Sequence, residues 1–493
     1  MEQNRQIFLD TQANLPEKGR KKRPLQNNKS RQSRATRSFF QKTLPAKVFL
    51  IVVSLFAATG CSLLAAPAAP PPPTLLPTAV PWQPDQFVTS TGAVVDPASD
   101  VVPAVDPLIE NLIAAVSQQQ LTAYVQTLQN FGTRNAFSPT DDPNFGIGAA
   151  REWIYDEFTR VGNGRLRVER QTFPLVYGSS SAEQINVIAT LPGKLDNNQV
   201  IVITAHYDNR PPDAEDGESL APGANDNASG VALLLESARL LSAYEWNQTI
   251  LFVALSAEEQ GAIGSRALVQ RLFLEGQDVI AAFNYDAVGG RQGIPQSVRL
   301  FAANVQESPS GEIARYYEYV GGLYLPMFPV RVINSLDREG RFGDQQEFVK
   351  AGLPGIRIIE SEEDPALVNS RKDRWELIDF RYLQQVTQLN TAVTASLAGG
   401  PARPALPLIE TANDPGAYRL RWPVDPQAAG YVISFRPIVQ ETYPPFRFVR
   451  AREAGDVILT GLDPAATYAV SMTAVDENGR PGPFTPEVII EGK

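Results

Sequence analysis

The chain has 493 residues, of which 43% are hydrophobic and 20% charged, and its formal net charge is −10. That composition excludes a wholly disordered chain and leaves room for two or three domains. An acidic body lacks the clustered Lys and Arg that displace counterions, which argues against nucleic acid as a partner.

Residues 1–47 are polar and basic, and they read as a cytoplasmic leader. Residues 48–66 form an apolar segment that follows Lys47 directly. A basic stretch, an apolar run and then small residues is the layout of an export signal. Ala58-Thr59-Gly60-Cys61 is similar to a bacterial lipobox, in which the cysteine carries the lipid. Two readings stand: lipidation at Cys61, or an uncleaved anchor helix that continues through Leu63-Leu64-Ala65-Ala66. Both place the body outside the cytoplasm, and either tether would bind it to a membrane; outright secretion is the remaining possibility. Cys61 is the only cysteine, so no intramolecular disulfide can form. Residues 67–105 are a proline-rich linker centred on Pro70-Pro71-Pro72-Pro73. Such a run favours extended polyproline II and acts as a semi-rigid spacer.

Residues 106–398 read as an α/β domain with a mostly parallel central sheet flanked by helices. Apolar spacing predicts helices over 107–113, 121–131, 149–160 and 231–241. Continuous apolar runs over 200–204, 249–255, 279–284 and 355–359 predict strands buried on both faces. From residue 402 to 493 the helical period stops. Runs near 418–422, 430–435, 456–459 and 468–475 alternate as strands, which predicts a small all-β sandwich. Trp422, the Leu462-Asp463-Pro464 turn and Tyr468 resemble a fibronectin type III module. The module reads as a spacer or as a binding element for substrate or a surface ligand.

Candidate chemistry gathers where the predicted strands end. His206, the only histidine, and Asp208 follow the first of the apolar strands. Asp226 precedes a helix, Glu258 and Glu259 follow the second strand, and Asp286 ends the third. In open α/β sheets, the carboxyl ends of strands line the functional crevice. Imidazole nitrogen and carboxylate oxygens suit zinc, and a catalytic zinc keeps one position open for water. Two ions can share a bridging carboxylate. A neighbouring carboxylate that is not a ligand can take the water's proton. Glu258-Glu259 offers both roles if the pair is extended, since successive side chains of a strand point to opposite sides.

The run Ala205-His206-Tyr207-Asp208, the segment from Pro222 to Gly230, Ser256-Ala257-Glu258-Glu259-Gln260-Gly261 and Asn284-Tyr285-Asp286 resemble peptidase family M28. Gly132-Thr133-Arg134, the segment from Asn186 to Gly193 and Phe342-Gly343-Asp344 also match, and the resemblance covers roughly Leu108 to Leu397. It implies a zinc aminopeptidase acting on peptides or proteins. His206 and Asp286 would bind the first zinc, Asp226 would bridge two ions, and Glu259 would bind the second. Glu258 would be the general base and acid, and Asp208 would orient His206.

The resemblance breaks at one ligand. The family's late histidine corresponds to Asn369, in Asn369-Ser370-Arg371-Lys372-Asp373. Either Asn369 ligates through its amide oxygen, or Glu362, Glu363 or Asp364 replaces it, or the second site is weak or empty. Oxygen in place of nitrogen would shift preference toward manganese or another divalent cation. The competing expectation is a non-catalytic binding protein on the same fold. A glutaminyl-cyclase-like enzyme shares the fold but resembles a one-zinc site that uses the missing histidine.

Overall fold

The computed structural model describes residues 103–195 and 197–492. The leader 1–47, the segment 48–66 with Cys61, and the linker up to residue 102 lie outside the described residues. Among the described residues no helix is long and apolar enough to cross a membrane.

Three helices open the domain. Helix α1 (Pro107–Ala114) starts on Asp106, whose carboxylate accepts the Leu108 N–H, with proline in the first turn. Helix α2 (Gln118–Asn130) is capped by Ser117, and α3 (Gly146–Gly162) ends on Asn163 in the left-handed conformation. Strands β1 (Arg167–Tyr177) and β2 (Ser180–Leu191) form a hairpin. Then follow β3 (Gln199–His206), α4 (Ser229–Leu241), β4 (Thr249–Leu255), α5 (Ile263–Leu274) and β5 (Asp278–Tyr285). The domain closes with β6 (Val298–Ala302), α6 (Pro309–Tyr324), β7 (Val330–Asn334), α7 (Gln345–Lys350), β8 (Gly355–Glu360) and α8 (Phe380–Gly399).

These eight strands make one sheet in the order β1-β2-β4-β3-β5-β8-β6-β7. Its centre, β4-β3-β5-β8, is parallel, whereas β1, β2 and β6 join by antiparallel pairings. The central strands are largely apolar because both faces are covered. On one face Ile201, Ile203, Phe252 and Phe283 join the large core that includes α4 and α8. On the other, Val200, Val202, Leu251 and Val253 meet Leu268 and Leu272 of α5 and Phe348 of α7. The alternation follows from the strand period of two.

The C-terminal region is all β. Strands β9 (Leu408–Thr411), β10 (Tyr418–Arg421), β11 (Gly430–Pro437), β12 (Arg447–Arg450), β13 (Asp456–Leu459), β14 (Tyr468–Val475) and β15 (Val488–Ile490) form two antiparallel sheets. Trp422, Tyr431 and Met472 pack between them. The Tyr468 hydroxyl accepts the Asp463 N–H at 3.1 Å, holding the preceding turn.

This region docks on α6. Phe484 stacks on Tyr443, with centroids 4.9 Å apart, and Phe446 meets Tyr319 edge-on. Buried Arg315 pairs with Glu487 at 2.9 Å, and Tyr316 donates its hydroxyl to the Pro481 carbonyl at 2.8 Å. Tyr316→Phe leaves that carbonyl buried without its donor, which costs about 1–3 kcal/mol. The urea unfolding midpoint should fall accordingly; an unchanged midpoint would show that the contact contributes nothing.

Candidate metal centre

The chemistry sits at the carboxyl ends of the parallel strands. His206 is the last residue of β3, Asp286 follows β5, and Asp226 lies in the turn that leads into α4. Among the described residues, the ligand-capable atoms of these three lie within 4.8 Å of one another. His206 Nε2 is 3.3 Å from Asp226 Oδ1 and 3.4 Å from Asp286 Oδ1. It is fully buried and has no hydrogen-bond partner. A buried nitrogen left unpaired between two carboxylates is costly unless a cation serves it. The donor set, one imidazole and two carboxylates, suits zinc with one position left for water.

Each group is held from behind. Nδ1 of His206 lies 3.1 Å from the Asp208 backbone carbonyl and 3.6 Å from the Asp208 carboxylate. Of these two Asp208 groups the carbonyl is the nearer partner. The Asp208 carboxylate instead accepts the backbone N–H groups of Glu258 and Glu259, each at 3.2 Å. Asp286 Oδ2 pairs with buried Arg357 at 2.7 Å, leaving Oδ1 facing the imidazole. The Asp373 carboxylate accepts the N–H groups of Asn225 and Asp226 at 2.8 and 2.9 Å. Arg134, wholly buried, donates to the carbonyls of Tyr207, Pro222 and Gly223, tying the His206 strand end to the Asp226 loop.

The charges act on one another. Burial disfavours the imidazolium of His206, but the negative charges of Asp286, Asp208 and Asp226 around it outweigh burial and raise its pKa well above the ordinary value. A proton there holds the place a metal ion would take. Burial alone would raise Asp286, yet Arg357 and His206 hold it well below the usual carboxylate range. Burial pushes Glu258 well up, reinforced by Asp286, Glu259 and Asp344. A carboxyl poised to carry a proton is the form a general acid and base requires.

Glu258 and Glu259 do not lie in extended backbone. Ala257 has φ of +59°, and the N–H groups of Gly261 and Ala262 return to the Glu258 carbonyl, so the pair opens a tight turn. The strand alternation expected for them is replaced by this turn, which is pinned by Asp208. Glu258 lines the same cavity of ≈310 Å³ as Asp226 and Asp286.

Glu259 and Asn369 also line that cavity but stand outside the His206 trio. Glu259 Oε2 accepts Arg210 Nε at 2.7 Å. The Asn369 amide, oriented to satisfy both ends, donates to Glu259 Oε1 at 2.7 Å and accepts from Arg210 Nη2 at 3.0 Å. Of the other residues expected to replace the late histidine, Glu362 pairs with Arg291, Glu363 pairs with Arg299, and Asp364, on the cavity wall, accepts the Ala366 N–H at 3.0 Å. The residues here fit one ion at His206, Asp226 and Asp286; beside Glu259 they do not fit a second.

Sequence reasoning gave no role to Arg357, quoted Asp344 and Asp373 only inside motifs, and did not place Arg210 beside Glu259. Arg357 carried a signal, since an arginine inside an apolar strand covered on both faces must be paired. Asp344 closes a matched motif; it is wholly buried with both oxygens unpartnered, and burial pushes its pKa up to about 7.

Residues 186–394 match the sequence profile of peptidase family M28. A protein of Leptosphaeria maculans named "Probable zinc metalloprotease" is 32% identical over 380 residues, which span 69% of this chain and 88% of that relative. A protein of the same name from Pyricularia oryzae is 32% identical over 395 residues, spanning 69% of this chain and 78% of the relative. Among solved structures, the LapA aminopeptidase of Legionella pneumophila superposes with a TM-score of 0.50 at 19% identity, over 61% of this chain and 78% of that one. The last likeness is one of fold.

Proposed function

This chain belongs to peptidase family M28, and from that premise we propose that it is an extracytoplasmic, zinc-dependent aminopeptidase. The observation that carries this reading is the unpartnered Nε2 of His206 between Asp226 and Asp286, with Glu258 on the same cavity wall. His206, Asp226 and Asp286 would hold a divalent ion, which would supply Lewis acidity and make water there easier to deprotonate. Glu258 takes the water's proton and hands it to the departing amine. Asp208 and the Glu258 turn fix that carboxylate by backbone hydrogen bonds. The cavity is at the small end of the roughly 300–1,000 Å³ range of small-molecule sites, which suits a chain end better than a long segment.

Location outside the cytoplasm rests on the segment 48–66, with Cys61 lipidated or the segment kept as an anchor. The C-terminal β region serves as a spacer or surface-binding element of the fibronectin type III kind. Capture of Glu259 by Arg210 and Asn369 favours a second reading, a non-catalytic binding protein. Retention of Glu258 on the cavity wall favours hydrolysis.

The test uses the full chain with zinc on paired peptides, unblocked and N-acetylated, followed by mass spectrometry. Stepwise loss from free N-termini alone is expected. Internal cleavage of acetylated peptides contradicts the aminopeptidase reading, and no cleavage with zinc bound supports the second. Replacing Asp208 with Asn removes one carboxylate oxygen behind His206 and the Glu258 turn. Zinc affinity, measured by competition with a chelating dye, should fall about 10–100-fold; an unchanged affinity would sink that role for Asp208.

A further inference from the structure

We propose that the guanidinium of Arg210, clamped by Asn369, stands where a second metal ion would sit, so that the site works with one exchangeable ion and one built-in cation. The inference rests on the reading that His206, Asp226 and Asp286 hold the first.

Three side chains close a ring. Arg210 Nε donates to Glu259 Oε2 at 2.7 Å, Asn369 Nδ2 donates to Glu259 Oε1 at 2.7 Å, and Arg210 Nη2 donates to the Asn369 oxygen at 3.0 Å. The third guanidinium nitrogen, Nη1, donates to the carbonyls of Pro211 and Pro212 at 3.3 and 3.0 Å. Every nitrogen of the guanidinium therefore has a partner, and both oxygens of Glu259 are engaged.

An ion beside Glu259 would need an oxygen at about 2.0–2.2 Å. Both oxygens are engaged, and the ion would face a fixed positive charge a few ångströms away. Asn369 is suited to the clamp because an amide donates and accepts at once, bridging carboxylate and guanidinium. Its φ of +52° is a left-handed conformation that asparagine tolerates better than most residues. The amide oxygen, which could have been a ligand, is spent on Arg210. Arginine keeps its charge at any working pH and does not leave with chelators. Arg210 thus stays beside Glu259 as a fixed positive charge and is a positioning residue.

The experiment is metal stoichiometry on the full chain, stripped with a chelator, reloaded with zinc, desalted and measured by plasma mass spectrometry. Wild type should hold one ion per chain, and the Arg210→Ala/Asn369→His double variant should hold two. Two ions in wild type overturn the inference while leaving the peptidase reading intact. None in wild type overturns both. One ion in the double variant, with its circular dichroism unchanged, shows that the ring is not what excludes the second. Should that variant fail to fold, anomalous scattering from wild-type crystals at the zinc edge decides. One peak at His206 supports the inference, and a second peak at Glu259 overturns it.

Discussion

Glu258→Gln should lower kcat for peptide hydrolysis by about 10²–10⁴-fold and leave zinc bound. The carboxylate stands on the wall of the cavity that holds Asp226 and Asp286, and it is not one of the three gathered ligand atoms. Gln keeps the volume and a hydrogen-bonding oxygen but cannot carry a proton. The backbone that positions residue 258 is untouched, since Asp208 holds it through the main-chain N–H. The loss should therefore appear in kcat with KM and metal content nearly unchanged. Steady-state kinetics with metal analysis checks this; full activity in the variant would remove Glu258 from the chemistry.

Arg357→Met destabilises the fold by about 3–5 kcal/mol. Arg357 is 2% exposed and bridges two buried carboxylates, Asp286 at 2.7 Å and Asp337 at 2.8 Å. Methionine fills much of the volume yet leaves both acids without their shared cation. Arg357 helps hold Asp286 and Asp337 below ordinary carboxylate values, against the effect of burial. Its contribution is thus fully present above the unfolded carboxylate value, near 4, and is lost as pH falls through the depressed folded values. Urea midpoints of metal-free wild type and variant should differ widely at neutral pH and converge in acid. Equal midpoints at neutral pH would show that the bridge contributes no stability.

The parts of this protein legible from sequence are those whose signal is local. Strand β3 is a continuous apolar run ending on the chain's only histidine, so the strand was legible locally, whereas the candidate site rested on His206 taken together with Asp226, Glu258, Glu259 and Asp286. Strands β10, β11, β13 and β14 were legible by alternation. The hairpin β1–β2 was not, because its exposed edge mixes Arg, Glu, Gln and Ser with few apolar positions. Helix α8 carries Thr and Asn on a largely buried surface, which blurs the helical period. In the site, His206 and Asp286 at strand ends and Asp226 in the turn before α4 lie within 4.8 Å of one another. The turn at Ala257 was hidden because a left-handed alanine leaves no mark in composition. Arg210 was hidden for another reason: its partners Glu259 and Asn369 come from distant loops, and only folding brings a guanidinium between them.

The central claim, a metal-dependent peptidase working through His206, Asp226 and Asp286, is tested most directly by metal withdrawal and return. The full chain is stripped with a chelator, verified metal-free, and assayed on an unblocked peptide before and after zinc is restored. Hydrolysis should vanish in the stripped protein and return saturably with zinc in wild type but not in His206→Ala. Undiminished hydrolysis by verified metal-free protein would contradict the account.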